Sequence, residues 1–132
     1  MAPVRIPDRQ VNESTESGDR LLLLVSSDLM ARERVRSAAA SAALVVRYAA
    51  PGALAETLRA SEPSVLVIDL DAGGAPILEE VAAARAENLL PERVLGYFSH
   101  VDTALGEAAE AAGVTAVRRG RFWSSLPELL IR

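Results

Sequence analysis

An aspartate at the end of an apolar run is the strongest candidate for chemistry in this sequence. Asp69 lies in the stretch 63–74, Pro-Ser-Val-Leu-Val-Ile-Asp-Leu-Asp-Ala-Gly-Gly, directly after four apolar residues that are mostly β-branched. Such a run is typical of a strand buried on both faces of a parallel sheet. Ligands of open α/β sheets bind where the strands end at their carboxyl edge, so a functional residue is expected there. Alternatively, Asp69 caps the following turn, which Asp71 and Gly73-Gly74 indicate, or it pairs with an arginine.

The string Ser99-His-Val-Asp102 is a second polar cluster. Ser99 ends a predicted strand and His100 follows it, so both are expected at the same sheet edge as Asp69. There His100 could contact a ligand or respond to pH, because imidazole changes its charge near neutral pH. The alternative is that Asp102 caps the next helix and His100 is a surface loop residue. The chain has one histidine and no cysteine, so no metal site is predicted.

The segment Arg118-Arg-Gly-Arg121 concentrates positive charge in an acidic chain. Residues 113–132 contain four arginines and one glutamate, whereas the whole chain has a net charge of -4. Arg118, Arg119 and Arg121 could hold an anion beside Asp69, such as phosphate, a nucleotide or an acidic partner. Alternatively, they lie in a solvated loop and neutralise Asp69 and Asp71.

Two aromatic residues, Phe122 and Trp123, follow these arginines directly. An aromatic side chain beside arginines suits an anchor at a protein interface, so Trp123 is a candidate partner contact. Core packing of at least one of the two rings is also expected.

Strands and helices alternate along the chain in the order needed to bring these residues together. Alternation at about 20 to 25 residues per unit predicts parallel strands, right-handed crossovers and a three-layer, doubly wound α/β sandwich. On the first helix the predicted inward positions are Met30, Val35, Ala38, Ala39 and Ala42. The predicted strands cover 21–25, 44–48, 63–71, 93–99 and 115–118, and the predicted helices cover 29–42, 53–60, 76–88, 102–112 and 125–131.

Length and composition narrow the class of protein. The 132 residues, half of them hydrophobic, suit one domain with a single core, assigned to 20–132 after a flexible polar leader at 1–19. The acidic charge and the lack of a broad basic face argue against a nucleic-acid binder. No apolar run approaches the roughly 20 residues of a membrane span, and no secretory signal is visible, so a soluble cytoplasmic protein is expected.

Motifs of common α/β enzymes are absent from the sequence. The first strand is not followed by G-x-G-x-x-G, and neither a P-loop nor a G-x-S-x-G elbow occurs. All fourteen basic residues are arginine, which excludes chemistry that needs a lysine amine. The sequence therefore predicts no cofactor and no enzyme activity.

Five βα units, with acids after strands one and three and Ser99 after strand four, resemble a response-regulator receiver domain over residues 20–131. The resemblance implies a flavodoxin-like sheet with strand order 2-1-3-4-5. In receivers an acidic pair after strand one holds Mg²⁺, and an aspartate after strand three accepts a phosphoryl group. A Ser or Thr after strand four and a lysine after strand five bind the phosphoryl oxygens. By this resemblance Asp69 takes the phospho-acceptor position and Ser99 takes the hydroxyl position.

The same resemblance locates two departures from the receiver pattern. Ser26 and Ser27 fall on the acidic pair, with Asp28 directly after them, and the lysine position falls near Gly120, among arginines. Neutral hydroxyls do not supply the charge that favours Mg²⁺, and arginine is not a simple replacement for lysine. The resemblance therefore implies a degenerate receiver, or pseudo-receiver, that is not catalytic and regulates by binding an unidentified protein partner.

Two other functions stay open, and one assembly is expected. The chain could be a phosphorylatable receiver that accepts phosphate on Asp69, or a flavodoxin-like protein that binds an anion or nucleotide through 118–121. Receivers commonly dimerise through the face formed by the fourth helix, fifth strand and fifth helix. The resemblance therefore makes a homodimer plausible, and the fourth helix is rich in the small residues that suit such a face: Ala104, Ala108, Ala109, Ala111 and Ala112.

Overall fold

Five parallel strands form one sheet in the computed structural model, which describes residues 20–99 and 101–131. Their spatial order is β2-β1-β3-β4-β5, and every neighbouring pair is parallel. The predicted doubly wound sheet with strand order 2-1-3-4-5 is therefore confirmed. The predicted leader, 1–19, and His100 lie outside the described residues. The strands are β1 (Arg20–Val25), β2 (Leu44–Tyr48), β3 (Val65–Asp69), β4 (Arg93–Phe98) and β5 (Thr115–Arg118).

Helices cover both faces of the sheet and complete three layers. Helices α1, α5 and α6 pack on one face, and α2, α3 and α4 pack on the other. Within the described ranges, no helix has the length and apolar character needed to cross a membrane. The helices are α1 (Leu29–Ser41), α2 (Leu54–Ser61), α3 (Leu70–Ala86), α4 (Thr103–Ala111), α5 (Arg119–Ser124) and α6 (Leu126–Ile131).

The central strands are continuous apolar runs because both of their faces are covered. In β1, Leu22 and Leu24 face the α1, α5 and α6 layer, while Leu23 between them faces the opposite layer. All three side chains are fully buried, as is Leu66 of β3. Each such side chain contributes about 1.5–3 kcal/mol of burial free energy, so these strands fix the core.

Helix α3 begins earlier than the sequence pattern predicts. The predicted turn after Asp69 is instead the first turn of α3, which starts at Leu70 and is kinked at Gly74, with φ 58° and ψ -147°. Gly74 permits this positive φ, and Pro76 then falls in the first turn after the kink, where its missing N–H costs little. A side chain at Gly73 would come within 2.6 Å of Ile77, so this glycine allows close packing.

The C-terminal segment also differs from its prediction. The segment Arg118-Arg-Gly-Arg121 is not a loop, because α5 starts at Arg119, and a second short helix, α6, follows it. Phe122 is fully buried against the sheet, as expected for at least one of the two aromatic residues. Helix α5 carries this ring onto the sheet.

The inward face of α1 is the predicted one except at Met30: Val35 and Ala39 are buried, and Ala38 and Ala42 are partly buried against the same cluster. Met30 was expected to be buried, yet 74% of it is exposed. The buried positions are Ala31, Val35 and Ala39, which follow one another at intervals of four residues. The stripe through Ala31, Val35 and Ala39 faces the core, which leaves Met30 on the outer side.

The two helical layers carry charges of opposite sign. Helices α1, α5 and α6 contain five arginines and two glutamates, which gives +3. Helices α2, α3 and α4 contain two arginines and six acidic residues, which gives -4. The sheet therefore separates a basic layer from an acidic one.

Candidate functional site

Asp69 ends β3 at the carboxyl edge of the sheet, and 5% of it is exposed. Its Oδ1 atom accepts a hydrogen bond from the backbone N–H of Ala72 at 3.2 Å, so Asp69 is the N-cap of α3. Its Oδ2 atom accepts a hydrogen bond from the Ser26 hydroxyl at 3.4 Å. A buried carboxylate is costly unless it is paired and hydrogen-bonded, and both oxygens of Asp69 have partners within the chain.

Arg119, the first residue of α5, supplies the positive charge next to Asp69. Its Nη2 atom lies 3.4 Å from Asp69 Oδ1 and 2.9 Å from Asp71 Oδ2, and its Nε atom donates to Asp71 Oδ2 at 3.2 Å. The guanidinium carbon also lies 5.0 Å from the centre of the Tyr97 ring. Burial acts to lower the pKa of Arg119, but the hydrogen bond to Asp71 and the charges of Asp69 and Asp71 outweigh it and raise that pKa. Arg119 is therefore a fixed cation at this site.

The other two arginines of the segment are separate from this ion pair. Arg118 and Arg121 are both exposed, and neither forms an ion pair with any described residue. The sequence could not choose among the three arginines. The structure assigns contact with the acids to Arg119, which leaves Arg118 and Arg121 on the surface.

The serines at the end of β1 differ in their surroundings. Ser26 is buried, and besides donating to Asp69 it accepts hydrogen bonds from the backbone N–H of Asp28 at 3.2 Å and from the Tyr97 hydroxyl at 3.4 Å. Ser27 is exposed. Asp28 caps α1 by accepting from the N–H of Met30 at 2.9 Å. Asp28 is therefore occupied with helix capping, and Ser26 is the residue of this group that contacts Asp69.

Tyr97 belongs to the site although the sequence did not single it out. It is fully buried near the end of β4, with its hydroxyl on Ser26 and its ring against Phe122 at 4.6 Å and Trp123 at 5.2 Å. Burial raises the pKa of Tyr97 to about 12. The hydrogen bond between the Tyr97 and Ser26 hydroxyls acts to lower this pKa, and the negative charge of Asp69 acts to raise it. A tyrosine inside an apolar strand needs a partner for its hydroxyl, which is the sequence signal that could have revealed it.

Three other predicted residues lie outside the contacts of Asp69: Ser99 is next to Asp71, Asp102 is at the start of α4, and Trp123 is on α5. The backbone N–H of Ser99 donates to Asp71 Oδ1 at 2.9 Å, so Ser99 reaches this cluster through its main chain. Asp102 caps α4 through the N–H of Leu105 at 3.1 Å, as one of the two interpretations expected. Trp123 is half-buried, and the guanidinium of Arg34 lies 4.6 Å from its ring centre.

The carboxylates here do not form a ligand set for the Mg²⁺ ion that receivers bind. Asp28 caps a helix and Asp71 is paired with Arg119, while Ser26 and Ser27 are neutral. Across 20–99 and 101–131, no three His, Cys, Asp or Glu side chains are grouped so that they could hold a metal ion. A guanidinium 3.4 Å from Asp69 also opposes a second cation there. The donor set therefore does not fit Mg²⁺.

A cavity of about 260 Å³ opens beside Asp69, between the ends of β1 and β3. Ser27 and Arg32 line it on the α1 side, and Glu80 lines it on the α3 side. Glu80 accepts from the N–H of Gly52 at 2.8 Å and of Leu54 at 3.1 Å, and so stabilises the start of α2. The cavity lies at the point where the strand order reverses, the usual ligand position in open α/β sheets.

The fold of this chain is similar to that of a solved structure. The chain is similar to the crystal structure of a CheY-like protein, TadZ, from Pseudomonas aeruginosa, with a TM-score of 0.65 and 20% sequence identity. The match covers 84% of this chain and 96% of that chain. Comparisons with protein-family models and with curated proteins give no match. The likeness shows a receiver-like fold.

Proposed function

We propose that this protein is a receiver-like signalling module that binds a protein partner and takes up no phosphoryl group by the usual Mg²⁺-dependent mechanism. The observation that carries the proposal is the Arg119 guanidinium, which lies 3.4 Å from Asp69 Oδ1 and 2.9 Å from Asp71 Oδ2. This positive charge belongs to the chain and offsets part of the charge of the two carboxylates without any bound ion. The likeness to a CheY-like protein supports the signalling part of the proposal.

The hydrogen bonds of Asp69 support the proposal that it accepts no phosphoryl group. Phosphoryl transfer needs a carboxylate oxygen free to attack phosphorus, together with cations that stabilise the charge on the transferred group. Asp69 Oδ1 already accepts from Ala72 and Arg119, and Oδ2 accepts from the Ser26 hydroxyl. Ser26 and Ser27 stand at the positions of the metal-holding acids, so the charge for Mg²⁺ is lacking.

The same contacts fix the surface that a partner would meet. Arg119 joins the start of α5 to the start of α3 through Asp71, and its ring contact joins both to Tyr97. In a receiver these elements would respond to a covalent change at Asp69. In this protein the cation is the Arg119 side chain, which is always present. The surface is therefore set by folding, and the availability of the partner controls the module.

Incubation of the full chain with acetyl phosphate and Mg²⁺, followed by intact-mass measurement, tests this function. We expect no mass gain in the wild type or in Asp69→Asn. A gain of one phosphoryl group in the wild type that Asp69→Asn lacks would establish the phosphorylatable receiver instead. The matched variant Ser26→Asp/Ser27→Asp/Arg119→Lys restores the residue types of a receiver. If these residues are what prevents uptake, this variant should gain the group.

A homodimer through the fourth helix, the fifth strand and the predicted fifth helix, which are α4, β5 and α6 in the structure, stays a prediction that rests on the resemblance to receivers. Ala104, Ala108 and Ala111 are exposed on α4, whereas Ala109 is buried, so one side of this helix offers a flat surface of small side chains. Light scattering coupled to size exclusion tests it, with Ala108→Arg as the variant expected to dissociate the dimer. A monomeric wild type would exclude this assembly.

A further inference from the structure

The cavity beside Asp69 is small and mostly apolar. Eight of its thirteen lining residues are apolar or glycine, so an occupant must present apolar surface to them. The volume of the cavity, about 260 Å³, lies below the roughly 300–1,000 Å³ of sites for drug-sized ligands. The cavity therefore suits a compact molecule with an apolar body and is too small for a nucleotide.

Arg32 supplies the positive charge of the cavity, on the α1 side. Its Nε atom donates to the backbone carbonyl of Ser26 at 2.9 Å, and its guanidinium lies 4.5 Å from the centre of the Tyr48 ring. Within 20–99 and 101–131, Arg32 forms no ion pair, and its Nη atoms donate no hydrogen bond. A guanidinium held in this way presents parallel N–H donors, which a carboxylate accepts as a pair.

Glu80 supplies a negative charge on the α3 side of the same cavity. Its two carboxylate oxygens accept one hydrogen bond each, from the backbone N–H groups of Gly52 at 2.8 Å and Leu54 at 3.1 Å. Both donors are neutral, and in the described part of the chain Glu80 forms no ion pair, not even with Arg32. A carboxylate has about four acceptor positions, so Glu80 can still accept hydrogen bonds from an ammonium group.

Asp69 is the second carboxylate of the lining, but it differs from Glu80. Its side chain is 6% exposed, and it is paired with Arg119, which lies outside the cavity lining. It also accepts from Ala72 and Ser26. The charges that the cavity leaves without a countercharge are therefore one of each sign, the guanidinium of Arg32 and the carboxylate of Glu80.

We infer that this cavity binds a small aliphatic amino acid as its zwitterion. The carboxylate of the ligand accepts two hydrogen bonds from Arg32, its ammonium group donates to Glu80, and its side chain contacts the apolar wall. A ligand with a carboxylate alone would leave Glu80 without a countercharge, and an amine alone would leave Arg32 without one. The inference goes beyond the proposed function, because it gives the module a small ligand in addition to a protein partner.

Titration calorimetry of the full chain with leucine and valine tests the site. Two analogues of leucine separate the contributions of its charges: 4-methylpentanoate lacks the ammonium group, and 3-methylbutylamine lacks the carboxylate. We expect at least one of the amino acids to bind, and each analogue to bind at least about ten-fold more weakly than leucine, since each loses charged hydrogen bonds. An analogue that binds as tightly as leucine, or no heat from either amino acid at millimolar concentration, would overturn the inference.

Variants of the two charged residues assign the two ends of the ligand. Arg32→Gln should bind leucine no more tightly than 3-methylbutylamine, because neither then gains from the guanidinium. Glu80→Gln should bind leucine no more tightly than 4-methylpentanoate. Arg32→Lys keeps the charge but loses the paired hydrogen bonds, so it should restore part of the affinity for leucine. A general loss of structure would weaken all ligands alike and would not produce this crossed pattern.

Matched controls lie on the same two helices, outside the cavity lining. Arg36→Gln on α1 and Glu79→Gln on α3 alter exposed charges and should leave the affinity for leucine unchanged. Circular dichroism melting checks that each variant is folded. Wild-type affinity for leucine in both Arg32→Gln and Glu80→Gln would show that the ligand binds elsewhere and would overturn the site. Phosphoryl uptake on Asp69 would remove the proposed function, whereas the titrations with amino acids decide this inference separately.

Discussion

Replacing Arg119 by methionine removes the cation of the site and keeps much of its bulk. Asp69 would then be a carboxylate whose side chain is 6% exposed, without a countercharge, and Asp71 would lose its ion pair. Methionine can still pack on the Tyr97 ring, so the expected effect comes mainly from charge. We predict that Arg119→Met is less stable than the wild type by about 2 kcal/mol.

The size of this destabilisation follows from how exposed Arg119, Asp69 and Asp71 are. Removing one member of a fully buried ion pair costs about 3–5 kcal/mol, whereas an exposed pair contributes about 0–1 kcal/mol. Arg119 is 37% exposed and Asp71 is 26% exposed, so solvent screens part of the interaction. Asp69 also keeps its hydrogen bonds from Ala72 and Ser26 in the variant. An intermediate cost of about 2 kcal/mol is therefore expected.

Urea unfolding followed by the fluorescence of Trp123, the single tryptophan, measures this cost. The matched control is Arg121→Met on the same helix, which alters an exposed arginine and should shift stability by less than about 0.5 kcal/mol. The slope of the unfolding free energy with urea should stay the same in both variants. If Arg119→Met and Arg121→Met are equally stable, the argument that Arg119 compensates a buried carboxylate is wrong.

Two further predictions concern the interior. Because the pKa of Tyr97 is raised from 10.0 to about 12, the folded state holds the phenol proton more tightly than the unfolded state. The stabilisation from the neutral Tyr97 phenol is complete below pH 10 and is lost as the pH rises toward 12, by up to roughly 3 kcal/mol. Urea unfolding at alkaline pH measures this loss. The loss should be absent in Tyr97→Phe when both proteins also carry Tyr48→Phe. A side chain at Gly106 would come within 2.7 Å of the Phe98 ring, whereas nothing lies within 4 Å of one at Gly120. Gly106→Ala should therefore destabilise the protein by about 1–3 kcal/mol, and Gly120→Ala should stabilise it by about 0.5–1 kcal/mol. Equal melting temperatures for the two variants would contradict this packing.

The sheet could be predicted from sequence because each strand is recognisable from the residues within it. A strand covered on both faces must be apolar at every position, so β1 and β3 appear as continuous runs. The spacing of these runs then implies parallel order. The start of α3 was missed because Gly73 and Gly74 look like a turn, whereas the cap from Asp69 allows helix to begin at Leu70.

The site was harder to predict because its contacts join distant parts of the chain. Arg119 and Asp69 are 50 residues apart, and Tyr97 and Ser26 are 71 residues apart. The choice of Arg119 over its neighbours depends on where α5 starts relative to the strand ends, which is a property of the folded sheet. Sequence could thus name Asp69 and the group of arginines, but it could not name the pair.

The opposite charges of the two helical layers give the molecule an electric dipole across its sheet. The basic layer carries +3 and the acidic layer carries -4, although the net charge alone suggests a uniformly acidic protein. A molecule of negative charge would therefore be turned as it approaches, so that it meets the side of the protein that bears α1. Such steering raises the association rate and weakens as salt is added, because the screening length falls to about 8 Å at physiological ionic strength. The orientation of encounter is thus built into the distribution of arginine between the two layers.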